Sequence, residues 1–452
     1  MRKIFLLIFV FAGFNCFSQN NDSAIIRSMA NDVLEHGTAY SNLRYLCKQI
    51  GPRLSGSVNA QKAVEATAKM LKAAGADTVY LQPCMVPHWV RGEKEKAVAS
   101  VGSQNKELHV CALGGSVGTP AQGIKAEVVE VNSFDDLDKL TKEKVQGKII
   151  FFNYPMRPEM VLGAYGDAVR YRAGGASAAA KKGAVACVVR SVTHALDYNP
   201  HTGSLRYDTT VAKIPAIACS TMDAVWLDSI IKNGSQATLY LKMNCETLPD
   251  VPSFNVIGEI RGSEKPNEIL TVGGHLDSWD LAEGAHDDGT GVMQSVEVIR
   301  ALKASGIRPK RTVRALMFMN EENGARGGNK YAEVAKQKNE QQIFALESDE
   351  GGFGAVGFSL EGKPAQIEKI QSWLPLFKPY GVFDITEGHG GTDIEPLKST
   401  GAVLCGLRPD SQRYFDVHHS PIDVFENVNK RELELGAINM TALIYLVSEH
   451  GL

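Results

Sequence analysis

From about residue 250 onward, three near-continuous apolar runs, EILTVGG, TVRALMFMN and QIFALES, alternate with segments of helical spacing at 290–305 and 327–337. Runs without polar alternation are strands covered on both faces, and helices between them let successive strands run parallel. The rhythm predicts an α/β fold with a mixed, mostly parallel sheet and helices on both faces. Sheets of this kind bind ligands at the carboxyl ends of their strands.

Each of the three runs passes at once into acids or histidine. EILTVGG leads to His275 and Asp277, TVRALMFMN to Glu321 and Glu322, and QIFALES to Asp349 and Glu350. One acidic loop is ordinarily a solvated loop. Three in succession, with no Lys or Arg immediately beside them, would repel one another and shift one another's pKa, and a bound cation resolves the conflict. A calcium loop of EF-hand type would need acids at alternate positions after Asp277, where Trp279 and Leu281 stand. Histidine in the set favours zinc, with cobalt or manganese as substitutes. HHSPIDV adds His418 or His419 as a further ligand.

The remaining chain is of mixed character. Residues 61–74 carry apolar positions at helical spacing, followed by Gly75, and 78–81 read as a strand. Between about 117 and 245 the runs shorten to AEVVEV, GKIIFF, AVACVVR, KIPAIACS and ATLYLKM, with a helix-like GASAAAKKG among them. This predicts a compact strand-rich insert. It holds no cluster of His, Cys and acids, so its chemistry alone suggests a lid or a partner surface.

The 452 residues carry a formal charge of -3, which points to neither nucleic acid nor an anionic membrane. Arg2 and Lys3 precede an apolar run at 4–14 that is too short to span a bilayer and has the proportions of a signal peptide, with cleavage after Ser18. Lipid anchoring at Cys16 is the rival reading, disfavoured by Asn15 where a small residue is wanted. Either way the chain is expected to be exported, secreted or periplasmic. Seven further cysteines are scattered singly with no CxxC spacing, and those in VACVV and AIACS read as buried thiols.

GGHLDSWD, AHDDGTG, NEENG and ESDEGG resemble, in order, the ligand motifs of the M28 zinc peptidases. GPRLSGS, PHWVRGE, NPHTG, IPAIACST and HHSPID extend the resemblance to a carboxypeptidase branch of that family, over essentially the whole mature chain. The resemblance implies a zinc exopeptidase fold in two parts, 19–116 and 248–452, around a protease-associated domain at 117–247. It implies two zinc ions per subunit, one on His275 and Asp349, the other on Glu322 and His419, with Asp287 bridging. Asp277 would orient His275 through the other ring nitrogen, and a cis peptide would join Asp287 to Asp288. His286 and His418 match no role. Glu321, beside Glu322 at a strand end, would face a metal-bridging water and act as general base.

Hydrolysis of short peptides with free termini, above all unblocked dipeptides, follows from the same resemblance, as does a homodimer. A carboxypeptidase needs a cation for the substrate carboxylate, for which Arg408, Arg413 and Lys398 are candidates. An aminopeptidase, the alternative, needs acids for the ammonium, for which Glu350, Asp393 and Asp410 are candidates. HGGTDIEPL, containing Thr392 and Asp393, is the expected substrate loop. A non-catalytic ectodomain on the same fold would have lost ligand residues, and here all five and the base are present.

Overall fold

The computed structural model describes residues 21–452, so the expected signal stretch and Cys16 lie outside the described residues. After an opening helical region, α1 (Val58–Ala73) is capped by Ser57, whose Oγ accepts from the Ala60 amide at 3.1 Å. That cap starts the helix three residues before the apolar periodicity does. Strand β1 (Thr78–Val90) follows. The chain then builds β2 (Lys96–Val101), β3 (Gln104–Glu107), β4 (Val110–Ala112), β5 (Ile124–Val131), β6 (Ile149–Phe152), helix α2 (Ala164–Lys181), β7 (Ala186–Arg190), β8 (Ala216–Cys219), helix α3 (Thr221–Lys232) and β9 (Ala237–Lys242). It returns through β10 (Glu246–Ile260), β11 (Lys265–His275), helix α4 (Thr290–Ala304), β12 (Arg311–Phe318), helix α5 (Arg326–Gln337), β13 (Gln341–Glu347), β14 (Ala355–Glu361), β15 (Asp384–Glu387), β16 (Val403–Pro409) and helix α6 (Lys430–His450).

Two eight-stranded sheets result. The first has the order β1-β10-β12-β11-β13-β16-β14-β15, with parallel pairing from β12 through β11 and β13 to β16 and antiparallel strands on either side. Every residue of β12 is buried, as a strand with both faces covered requires. Leu71 of α1, Val292 of α4 and Leu443 of α6 pack on one face, while Tyr331 and Ala335 of α5 pack on the other. The predicted arrangement of helices on both faces therefore holds.

The second sheet, β3-β2-β9-β5-β6-β7-β8-β4, corrects the expected boundary of the insert. Strands β2 to β4 lie before residue 117 yet pair in this sheet, β2 against β9 and β4 against β8. The insert thus begins near Lys96, because KAVASV supplies an edge that β9 would otherwise leave open. The last strand of this sheet in the chain, β9, ends at Lys242. All seven cysteines among the described residues are buried and unpaired, in line with the thiol reading. No helix among them is long and apolar enough to cross a membrane.

Candidate metal centre and active site

The adjacent strands β12, β11 and β13 end on one edge and bring their terminal acids and histidine together. His275 closes β11, and its amide donates to Asp288 Oδ2 at 3.0 Å. A Cβ at Gly274 would lie 2.2 Å from that carboxylate oxygen, so the glycine is what lets Asp288 reach the strand end. Asp287 precedes α4 in a kinked loop and is joined to Asp288 by a cis peptide bond, as the family resemblance implied. Asp423 holds that loop from below, accepting from the His286 amide at 2.7 Å and the Asp287 amide at 3.2 Å. Burial and the nearby Asp287 charge push Asp423 up to about 7.

The five expected ligands form one chain of contacts. His275 Nε2 lies 3.0 Å from Asp349 Oδ1 and 3.1 Å from Asp287 Oδ1. His419 Nε2 lies 3.2 Å from Asp287 Oδ2 and 3.1 Å from Glu322 Oε2. Asp287 thus offers one oxygen to each half of the site. Its Oδ2 is buried and accepts no hydrogen bond, and burial with the Asp287 charge pushes Glu322 up to about 7. Buried carboxylates left in this state fit a cation, and a set of one imidazole and two carboxylate oxygens on each side suits zinc. His418 comes only within 3.7 Å of Asp287 and stacks on His419 with ring centroids 3.5 Å apart, so His419 is the better placed of the pair. His419 adopts a left-handed backbone, φ 59°, which turns its ring toward Glu322.

Glu321 lines a cleft of about 910 Å³ together with all five ligands. Its neighbour Glu322 is buried and takes the Trp279 amide on Oε1 at 3.2 Å. Glu322 is thus held against Trp279 and His419. Burial pushes Glu321 well above the usual carboxylate range, with His275 pulling it back and Asp349 adding to the rise.

Asp277 meets the other ring nitrogen of His275 through its main chain. His275 Nδ1 contacts the backbone carbonyl of Asp277 at 3.0 Å, while the carboxylate stands 3.9 Å away. Asp277 Oδ1 instead accepts from the Asn320 and Glu321 amides at 2.6 and 3.1 Å. Its carbonyl thus orients the His275 ring, and its carboxylate holds the main chain of Glu321. The substrate-loop expectation divides as well: Thr392 lines the cleft, whereas Asp393 is fully buried beneath it beside Glu347, both held above the carboxylate range chiefly by burial. Arg408 lines the cleft with Nη2 2.5 Å from Asp384. Arg413 pairs with Glu432 and Lys398 with Glu361, and neither lines the cleft. His286 is structural, taking the Gly352 amide on Nδ1 at 3.1 Å and meeting the Asn427 carbonyl through Nε2 at 3.1 Å.

Two contributions escaped the sequence reading. The insert supplies Tyr165, Arg172, Ser204 and Arg206 to the cleft, so it is part of the site. Arg53, from GPRLSGS, is fully buried and donates to the carbonyls of Leu276, Glu283 and Gly284 at 2.6, 2.6 and 2.9 Å. It staples the loop between His275 and Asp287. Arg53→Met should strand three buried carbonyls and lower the unfolding free energy by about 3 kcal/mol, read from urea denaturation. An unchanged midpoint would show the loop holds itself.

Two imidazoles and three carboxylates gather at a parallel sheet edge beside a further glutamate, the donor set of a zinc metallopeptidase. The sequence signature described as peptidase family M28 matches residues 255–444. The chain belongs to this family. Carboxypeptidase Q of Xenopus laevis is 37% identical over 422 residues, 92% of this chain and 88% of the relative. Aminopeptidase YwaD of Bacillus subtilis (strain 168) is 24% identical over 425 residues, 90% and 84% of the two chains. The crystal structure of the peptidase M28 precursor from Shewanella amazonensis SB2B superposes with a TM-score of 0.91 at 31% identity, covering 95% of this chain and 97% of that one.

Proposed function

We propose that this chain is an exported exopeptidase that uses two zinc ions to hydrolyse short peptides with free termini, unblocked dipeptides above all. The observation that carries the two-ion reading is Asp287, which presents Oδ1 to His275 and Oδ2 to His419 at 3.1 and 3.2 Å. His275 and Asp349 would hold one ion, Glu322 and His419 the other, and Asp287 both. Zinc, when bound, polarises the scissile carbonyl and acidifies water. Glu321 accepts the proton of the attacking water and delivers it to the leaving amine as the C–N bond breaks. The Asn320 and Glu321 amides, tied to Asp277, fix where that carboxylate stands.

Carboxypeptidase polarity draws support from Arg172. This guanidinium is buried, lines the cleft beside the ligands, has an unsatisfied Nε, and lies within 4 Å of no carboxylate among the described residues. A buried cation without an anion is costly, and a substrate carboxylate would supply one. Similarity to carboxypeptidase Q over nine-tenths of the chain points the same way. Arg172→Met should raise KM for an unblocked dipeptide about tenfold or more and leave its C-terminal amide nearly unaffected. Equal effects on both substrates would remove Arg172 from carboxylate recognition.

The aminopeptidase reading is favoured by Glu350 and Asp410, which line the same cleft and could hold an ammonium group. Comparing free dipeptides with an aminoacyl anilide decides between them, and efficient anilide cleavage would overturn the carboxypeptidase assignment. The reading includes a protease-associated insert and a homodimer, the latter checked by light scattering. Export is checked by locating the native protein in cell fractions.

A further inference from the structure

The two halves of the metal centre are supported differently. A histidine that binds metal ordinarily donates its second ring nitrogen to an oxygen, which fixes the ring. His275 follows this pattern through the Asp277 carbonyl. His419 departs from it, since its Nδ1 faces Arg172 Nη1 at 3.4 Å, a group that can only donate. Its position is set by the main chain, and that main chain is held from the insert.

The insert segment 201–204, reading HTGS, makes this contact. The Thr202 amide donates to the His419 carbonyl at 2.9 Å, His201 Nδ1 meets the His418 carbonyl at 2.6 Å, and Ser204 Oγ donates to the Glu322 carbonyl at 2.6 Å. Gly203, φ 128°, lies so close that a Cβ there would sit 2.7 Å from His419 Nδ1. The segment is rooted in its own domain: the His201 amide donates to Ser191 Oγ at 2.9 Å, Thr202 Oγ1 to the Ala112 carbonyl at 2.8 Å, and the Gly114 amide to the Gly203 carbonyl at 2.9 Å. His275 and Asp287 are anchored instead by Asp277, Asp288 and Asp423, all within the peptidase part.

We infer that segment 201–204 of the insert is a positioning element for one half of the metal centre, setting the affinity of the position formed by Glu322 and His419 and leaving that of His275 and Asp349 alone. The inference rests on the two-ion reading. Its residues act through the ligand main chain and touch no reacting atom.

Zinc titration of the metal-stripped full chain against a chromophoric chelator, with cobalt absorption as a second signal, tests it. Wild type should take two equivalents. Ser204→Ala should bind the first equivalent unchanged and the second about 10–100-fold more weakly. Gly203→Ala, whose Cβ would crowd the Arg172 guanidinium at 2.4 Å and His419 Nδ1 at 2.7 Å, should act in the same direction, and Ser204→Thr, which keeps the hydroxyl, should restore the second equivalent. Wild type and Ser204→Ala binding two equivalents alike would overturn the inference alone. Equal weakening of both equivalents would also overturn it, by making the segment a general scaffold. A wild-type chain that takes one equivalent would overturn the two-ion reading, and this inference with it.

Discussion

Glu321→Gln should retain its zinc and its thermal midpoint while kcat falls by a factor on the order of 10²–10⁴, the range general-base catalysis contributes. Glutamine keeps the volume of the side chain and the backbone donation from residue 321 to Asp277, which is independent of the side chain. What it lacks is a carboxylate able to take a proton. Burial already raises Glu321 well above the ordinary carboxylate range, so it is poised to hold a proton between the attack on the carbonyl and departure of the amine. Metal content and steady-state rates on one preparation check the point together. A fall of less than tenfold would assign the base elsewhere.

Asp287→Ala should bring activity to background and release both zinc equivalents under a chelator that leaves wild type loaded. The substitution removes an oxygen from each half of the centre at once. Zinc binding the folded chain raises its stability by mass action, so chelation should lower the wild-type melting temperature and leave that of the variant unmoved. Loading should also release protons. Burial favours neutral imidazoles, but Glu322 and Asp287 outweigh it and raise His419 to about 10, and Asp349 and Asp287 raise His275. A cation entering the site therefore competes with protons for these rings. Affinity should therefore weaken as pH falls, with protons released on loading at pH 7 in calorimetry across buffers of different ionisation enthalpy. Zinc binding that is independent of pH between 6 and 8 would contradict this.

The strand-end cluster was legible because a buried parallel strand advertises itself as an apolar run, and the residue after it must face the sheet edge. His275, Glu322 and Asp349 follow from that logic, and the structure brings them together with Asp287 and His419. The choice between His418 and His419 is conformational: a left-handed backbone at 419 turns one ring into the site and leaves the other stacked upon it. For Asp277, spacing brings the residue to His275 without saying whether its carbonyl or its carboxylate arrives, and it is the carbonyl. Arg172 and Ser204 were illegible for another reason: the insert brings them to the cleft from across the second sheet, and nothing local marks an arginine in a helix as facing another domain's ligands. Asp280 and Glu283, in the loop between His275 and Asp287, are tied to Arg91 at 2.5 Å and Lys48 at 2.7 Å. Such ion pairs depend on contacts that sequence spacing does not encode.

The buried cysteines have a practical consequence. Burial raises Cys84 to about 11 and Cys47 to about 12 in the peptidase part, and Cys245 and Cys219 to about 12 at the insert's edge and within its sheet, which keeps these thiols protonated and unreactive while the fold is closed. An alkylating reagent can reach each of them only when its own region opens. The chain thereby carries natural reporters in both halves, and the order in which they become labelled under mild denaturant would reveal whether insert and peptidase part come apart together or one after the other.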